Sequence, residues 1–254
     1  MLSDQNPHIR DQFISFQEEG HIYTINKDTS YTSVTTWNHS HFEHFNADKI
    51  IDKMMENQIK WQNNKYFGLT KQDIKDLWDK NKNEASNAGT KLHYDIECFY
   101  NNLNVDNKSI EFSYFMNFYS HFSYLQPFRT EWMIYHEELK LAGSIDMLYK
   151  NDDGSLSIYD WKRCKDIKKS NSFNKFAITE CISHLPDTNF WHYALQLNTY
   201  KYILQQKYDV QIKDMYLVCL HPNQSNYKLF KIPDLYEEIS ILFQLRINML
   251  SKKI

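Results

Sequence analysis

The chain has 254 residues, 42% of them hydrophobic and 16% aromatic, including 18 Tyr, 16 Phe and 6 Trp, which excludes a disordered chain and allows one sizeable core. A formal net charge of -3 excludes a global basic field, so any nucleic-acid contact has to come from a local patch. No apolar run is long enough to span a membrane, and the four dispersed cysteines, with no CxxC pair and no secretory leader, are expected to be free thiols in an intracellular compartment, cytoplasmic or nuclear.

Residues 1–12 are polar and expected to fray. Segments 13–17 and 21–25, bridged by Glu18-Glu19-Gly20, predict a short hairpin. The Ser/Thr/aromatic stretch 30–37 ends a strand and caps a helix, and Asn46 and Asp48 precede a periodic helical segment over 50–61. A second helix begins near Thr70, with Asp73 in its first turn, and runs towards Asn83 before Gly89-Thr90 interrupts the pattern. From Thr90 to Tyr100 a further helix sets His93 and Glu97 one turn apart on a polar face, opposite Leu92, Ile96, Phe99 and Tyr100. An aromatic helix over 110–124 and a strand over 130–135 follow.

The stretch 141–162, LAGSIDMLYKNDDGSLSIYDWK, holds two alternating runs, 141–149 and 156–161, on either side of Asn151-Asp152-Asp153-Gly154, and this predicts a β-hairpin. Asp146 falls in its first strand and Asp160 in its second, with Lys162 two residues on and therefore on the face of Asp160. Acids at strand centres need partners. Hydrolysis of a phosphodiester needs an activated water and neutralised phosphoryl charge, and Mg2+ on carboxylates supplies both. In such a scheme Asp146 and Asp160 hold the ion, the backbone carbonyl of Trp161 adds a ligand, and Lys162 orients or helps to deprotonate the water. A D-x-K triplet alone, common by chance in a chain of this length, reads more readily as an exposed ion pair on a strand; the upstream acid and the turn give it weight.

Beyond Lys162, Arg163, Lys165, Lys168, Lys169 and Lys175 lie among Phe173, Phe176, Phe190 and Trp191, a mixture that suits phosphate contacts and base stacking on a single strand. Residues 190–206 predict an amphipathic helix with Gln196 and Tyr200 on one face. Strands over 215–221 and 227–232 pair across 222–226, and 235–250 closes the chain as a helix.

Four motifs run in order: Gly89-Thr90-Lys91-Leu92-His93, Gly143-Ser144-Ile145-Asp146, Asp160-Trp161-Lys162, and Gln196 to Tyr200. As G-x-x-x-H, G-x-x-D, D/E-x-K and Q-x-x-x-Y they resemble the PD-(D/E)XK nuclease superfamily, in particular its RecB-like branch of lambda-type, CRISPR-associated and mitochondrial genome-maintenance exonucleases. The resemblance covers roughly residues 85 to 205. It implies an α/β fold with a restriction-endonuclease-like core, a central mixed β-sheet flanked by helices, and a mainly helical N-terminal region: a hairpin and helical cap over 1–85, a nuclease core over 86–254, the whole forming one compact unit.

The resemblance further implies His93, Asp146 and Asp160 as metal ligands, Lys162 as the catalytic lysine, Gln196 and Tyr200 in support of the site or the substrate, and Glu131 as an acid on the strand before the hairpin. The cofactor implied is Mg2+ or Mn2+, as one or two ions. No iron-sulfur cluster is expected, because Cys98, Cys164, Cys181 and Cys219 lack the C-terminal group of three found in cluster-holding members. The implied activity is a metal-dependent DNA exonuclease of replication, recombination or repair, taking DNA that is single-stranded or has free ends. An endonuclease on structured DNA or on RNA with the same site, and a binding module that keeps the fold without cleaving, are the alternatives. A membrane partner is not expected, and oligomeric state is not written in the sequence. The richness in Asn, Lys and Ile fits an AT-rich genome such as that of a large DNA virus.

Overall fold

The structure, a computed structural model, describes residues 1–252. In chain order its elements are α1 (Leu2–Gln5), a 3-10 turn (Ile9–Phe13), β1 (Ile14–Gln17), β2 (Ile22–Ile25), β3 (Thr32–Ser33), α2 (Val34–His39), α3 (Ala47–Glu56), α4 (Gln58–Gln62), α5 (Lys71–Tyr100), α6 (Ile110–His121), β4 (Gln126–His136), β5 (Leu141–Lys150), β6 (Leu156–Lys162), a second 3-10 turn (Glu180–Ile182), α7 (Asn189–Lys207), β7 (Ile212–Cys219), β8 (Lys228–Lys231) and α8 (Tyr236–Ser251). Two compact units result, one of residues 1–43 with 92–254 and one of residues 44–91, a division that does not follow the expected border at residue 85.

The smaller unit is helical. Asn46 caps α3 by accepting the Lys49 N–H at 2.9 Å, as its position predicts. The single helix expected over 50–61 is two, because Asn57 leaves the helix and caps α4 through the Lys60 N–H at 3.0 Å. Thr70 and Asp73 form a reciprocal capping box: the Asp73 N–H donates to Thr70 Oγ1 at 3.1 Å, and the Thr70 N–H to Asp73 Oδ2 at 2.9 Å. Ile51 and Ile74 are fully buried. The interruption expected at Gly89 does not occur, and α5 runs on to Tyr100. A glycine inside a helix costs only about 1 kcal/mol, which the surrounding helix formers absorb.

In the larger unit the mixed sheet carries the order β3-β5-β6-β7-β8, with β4 antiparallel to β5. β5 and β6 form the predicted antiparallel hairpin, and β6 runs parallel to β7. One face packs against the end of α5 and against α6 through Leu92, Ile96, Phe115 and Phe118 on Met147, Tyr159, Trp161 and Val218. The other face packs under α2, α7 and α8, with Val34, Leu195, Ile203 and Ile239 above Leu148, Ile158 and Leu217. This is the α/β architecture expected, a central mixed sheet flanked by helices. The N-terminal residues do not fray as expected. The Leu2 N–H donates to Asn101 Oδ1 at 2.7 Å, and Asp11 accepts from Arg129 Nη1 and from Trp132 Nε1, each at 2.8 Å, so the segment serves polar groups buried on β4. Among the described residues no helix is long and apolar enough to cross a membrane.

Candidate active site

The same edge of β5 pairs with β3 at Leu141 and Ala142 and with β6 from Met147 to Lys150. Asp146 falls in the gap between those ladders, and its Oδ2 accepts the Trp161 N–H at 2.8 Å in place of a strand carbonyl.

Both strands change faces there. Trp132 on β4 and Ile145 on β5 are register partners and belong to the core under α7. Their neighbours two residues away, also register partners, face the opposite way: Met147 packs towards α5 and α6, and Thr130 accepts a hydrogen bond from Asn101, just past the end of α5, at 2.9 Å. A regular strand keeps residues two apart on one face. The switch falls at Glu131 and Asp146, which lie opposite each other between these pairs, and Glu131 has the left-handed φ of 44°. Such a conformation costs a non-glycine residue about 1–3 kcal/mol and persists where the surroundings fix it, often at functional sites.

The consequence is a cluster. Nδ1 of His93, on the last turns of α5, lies 3.4 Å from Asp146 Oδ2 and 3.9 Å from Glu131 Oε1, and the Ser144 hydroxyl donates to Glu131 Oε2 at 2.9 Å. Ligand atoms of His93, Glu131 and Asp146 all lie within 4.8 Å of one another. Asp160, 2% exposed, turns towards Lys162 instead, with Oδ2 2.6 Å from Nζ. The expected ligand set of His93, Asp146 and Asp160 therefore appears with Glu131 in the inner group and Asp160 paired to the lysine. The resemblance had given Glu131 only a supporting place; the signal that would have promoted it, a positive φ, is invisible in the sequence.

Electrostatics follow the geometry. Burial pushes Glu131 up to about 8, with Asp146, Glu97 and Asp160 adding repulsion and the Ser144 hydroxyl opposing it. Asp160 is pushed up to about 7 by burial, against the attraction of Lys162 and with the repulsion of Asp146's charge adding to the rise. Asp146 is raised chiefly by burial, and Lys162 and the Trp161 N–H oppose. His93 is lowered to about 4 by burial and by Lys162. Burial also works against the charge of Lys162, but Asp160 and Asp146 outweigh it and hold the ammonium form above its ordinary range. Two crowded carboxylates beside a neutral imidazole make a donor set that fits a divalent cation, whose charge would offset that repulsion. A second His-acid group, His136, Glu137 and Glu138, does not have this character, since Arg10 and Lys207 already meet its acids at 2.9 and 2.7 Å.

Tyr200 packs on Gly143 so closely that a Cβ there would stand 2.7 Å from its Cε1. Gln196 Nε2 donates to the Tyr200 hydroxyl at 3.1 Å and to Thr35 Oγ1 at 3.2 Å. Both helix residues thus brace β5 from behind. Tyr193, one turn before Gln196 and unremarked in the sequence, lays its ring 4.8 Å from the Lys162 ammonium.

The basic segment is not uniform. Arg163 donates to Glu111 Oε1 at 2.6 Å in a largely buried pair, and Lys175 pairs with Glu43 at 2.6 Å. Lys165, Lys168 and Lys169 are exposed, with Lys169 over the Phe190 ring at 4.7 Å, and Phe173 beyond them is 76% exposed. The phosphate-contacting patch expected from five cations is reduced by two neutralised ones.

No protein-family profile and no curated protein matches the chain. Among solved structures it is similar to SSO0001, at 12% identity and a TM-score of 0.36 over 88% of this chain and 78% of that one. It is also similar to a "Putative exonuclease" from Eubacterium rectale, at 10% identity and a TM-score of 0.34 over 88% of this chain and 79% of that one. Likeness at that level reaches no finer than the coarse arrangement of strands and helices.

Proposed function

We propose that the protein is a metal-dependent nuclease that hydrolyses DNA phosphodiesters, working from DNA ends. The observation that carries this reading is the convergence of His93, Glu131, Asp146, Asp160 and Lys162, drawn from one helix and three strands, at the gap in the β5 edge. Glu131, Asp146 and His93 would hold Mg2+ or Mn2+, with Asp160 and the Trp161 carbonyl beside them, and the ion supplies Lewis-acid stabilisation of phosphoryl charge and a more acidic water.

The chain's own groups define the rest. Lys162, kept cationic by two carboxylates, acts as a hydrogen-bond donor that orients the water and counters developing negative charge; it is poorly suited to remove a proton. Tyr193 and Asp160 confine its ammonium from two sides. Glu131 is positioned by Ser144 and by its own backbone conformation, and Asp146 by the Trp161 N–H. Exposed Lys165, Lys168 and Lys169, with Phe173, offer screening and stacking to a single strand leaving a duplex end.

The test compares wild type with Lys162→Ala and Asp146→Asn on end-labelled DNA and RNA, with free and with blocked ends, in Mg2+, Mn2+ or EDTA. Cation-dependent shortening from free DNA ends, reduced in each variant by about 100-fold or more, is expected. Equal activity in the variants removes the catalytic assignment. Equal attack on end-blocked DNA supports an endonuclease, preference for RNA changes the substrate, and retention of DNA without cleavage under any cation supports a binding module.

A further inference from the structure

The two thiols nearest Lys162 face each other. Cys164 leaves β6 two residues after the lysine, and Cys219, the last residue of β7, is the register partner of Lys162 itself. Their Sγ atoms are 3.4 Å apart, Cys219 Sγ lies 3.0 Å from the Cys164 carbonyl, and Gln224 Nε2 donates to Cys219 Sγ at 3.2 Å. All four cysteines are free. Cys219 is fully buried, but Cys164 is half-buried and lines an open cleft of about 890 Å³ together with Lys165, Lys168 and Phe173. One sulfur is therefore open to a small solute and the other is within reach of the first. The site adjoins the lysine's surroundings: Cys219 is the register partner of Lys162, and Tyr193, whose ring lies 4.8 Å from the Lys162 ammonium, packs on the same core cluster as Cys164 and Cys219.

We propose that Cys164 and Cys219 are a redox-modification site, forming a reversible disulfide in the presence of a peroxide, and that the bond slows the reaction proposed above by displacing Lys162. The two S–H bonds break and one S–S bond forms; the sulfurs give up two electrons to the O–O bond of hydrogen peroxide, which leaves with both protons as two waters. The sulfurs must close from 3.4 Å to about 2.0 Å. The Leu220 N–H holds the Lys162 carbonyl at 2.8 Å, so β7 is fixed against the lysine on one side while the new bond draws in the chain two residues beyond it. Asp160 is anchored in the middle of β6, so this motion changes the Lys162 to Asp160 geometry. A thiol reductant reverses the step by exchange through a mixed disulfide.

Only the effect on cleavage rests on the nuclease reading; bond formation does not. Reduced full-length protein is treated with hydrogen peroxide, alkylated and digested, with and without later dithiothreitol. The expected result is two alkylatable thiols in place of four, and a linked peptide pair carrying Cys164 and Cys219 that dithiothreitol separates. Cys164→Ser and Cys219→Ala should each abolish the link while keeping the wild-type unfolding temperature within a few degrees. Four thiols remaining at a peroxide dose that oxidises free glutathione, or links through Cys98, Cys181 or a second molecule, overturns the site. Cleavage of labelled DNA should fall about tenfold on oxidation, return with dithiothreitol and stay unchanged in Cys219→Ala, since displacements of an ångström cost that much or more. A bond that forms and leaves the rate unchanged overturns the regulation. Absence of cleavage by the reduced protein in either cation counts against the nuclease reading, and the thiol chemistry is then judged on the linked peptide.

Discussion

Gly143 and Tyr200 belong to motifs 57 positions apart in the chain, and their contact explains why both residue types are needed. Tyr200 is 3% exposed and held by Gln196, so it has no room to retreat from a side chain at position 143, where even a Cβ would meet its hydroxyl at 3.0 Å. Gly143→Ala is expected to destabilise by about 1–3 kcal/mol through overpacking. Combining it with Tyr200→Leu should cost less than the sum of the single changes by more than about 0.5 kcal/mol. Additive denaturant midpoints would rule out the contact as the reason for the glycine. His41 gives a second prediction at this scale. Its Nδ1 meets Thr179 Oγ1 at 2.9 Å, its Nε2 is buried without a hydrogen-bond partner among the described residues, and burial, with Arg246, lowers it to about 4. An unfolded histidine titrates near about 6.5, so the unfolded chain binds the extra proton first. The stability that the neutral ring contributes is complete above that value and is lost as pH falls from there towards about 4. His41→Gln should flatten the stability curve across that window; an unchanged slope would clear His41 of the effect.

Alternation along the hairpin placed Asp146, Asp160 and Lys162 correctly in strands and put Asp160 and Lys162 on one face, because a regular β6 obeys the two-residue period. The period fails on β4 and β5 at Glu131 and Asp146, and with it fails the sequence's ability to say which acid joins His93. A left-handed residue inside a strand has no composition signature when it is a glutamate. The Gly89 signal misled for the converse reason: a glycine with open space around it and a helical backbone is a tolerated cost, and nothing local distinguishes it from a terminator. Glu131→Gly follows from this. Glycine adopts the left-handed region freely and removes a half-buried carboxyl that burial pushes up to about 8, so the variant's unfolding temperature should equal or exceed that of wild type. Cleavage, if it depends on Glu131 as proposed, should be lost in the same protein. A marked fall in unfolding temperature would mean that the strand conformation is set by the side chain and is not strained.

On the scale of the larger unit, the order of helices and strands was legible because apolar periodicity is a local property, whereas the layered mixed sheet was expected only from the family resemblance. What joined the layers was not legible. Asp11 reaching Arg129 and Trp132, Arg163 reaching Glu111 and Cys164 reaching Cys219 are pairings between distant positions that single-residue patterns leave open. The His93, Glu131 and Asp146 group is of the same kind, joining the end of α5 to β4 and β5 at the point where the sheet edge is unpaired. A cation bound there would tie these elements together and cancel the repulsion that raises the acids. Because the unfolded chain does not assemble the group, binding to the native state alone stabilises by RT ln(1 + [L]/Kd), about 2.7 kcal/mol at a hundredfold excess over Kd. Millimolar Mn2+, or Ca2+ as an ion that need not support cleavage, should therefore raise the unfolding temperature by several degrees, with EDTA reversing the shift. Asp146→Asn and Glu131→Gln should each remove most of it, while a control at the neutralised His136, Glu137 and Glu138 group, Glu138→Gln, should leave it intact. A shift that survives both site variants, or vanishes in the control, would place the cation elsewhere.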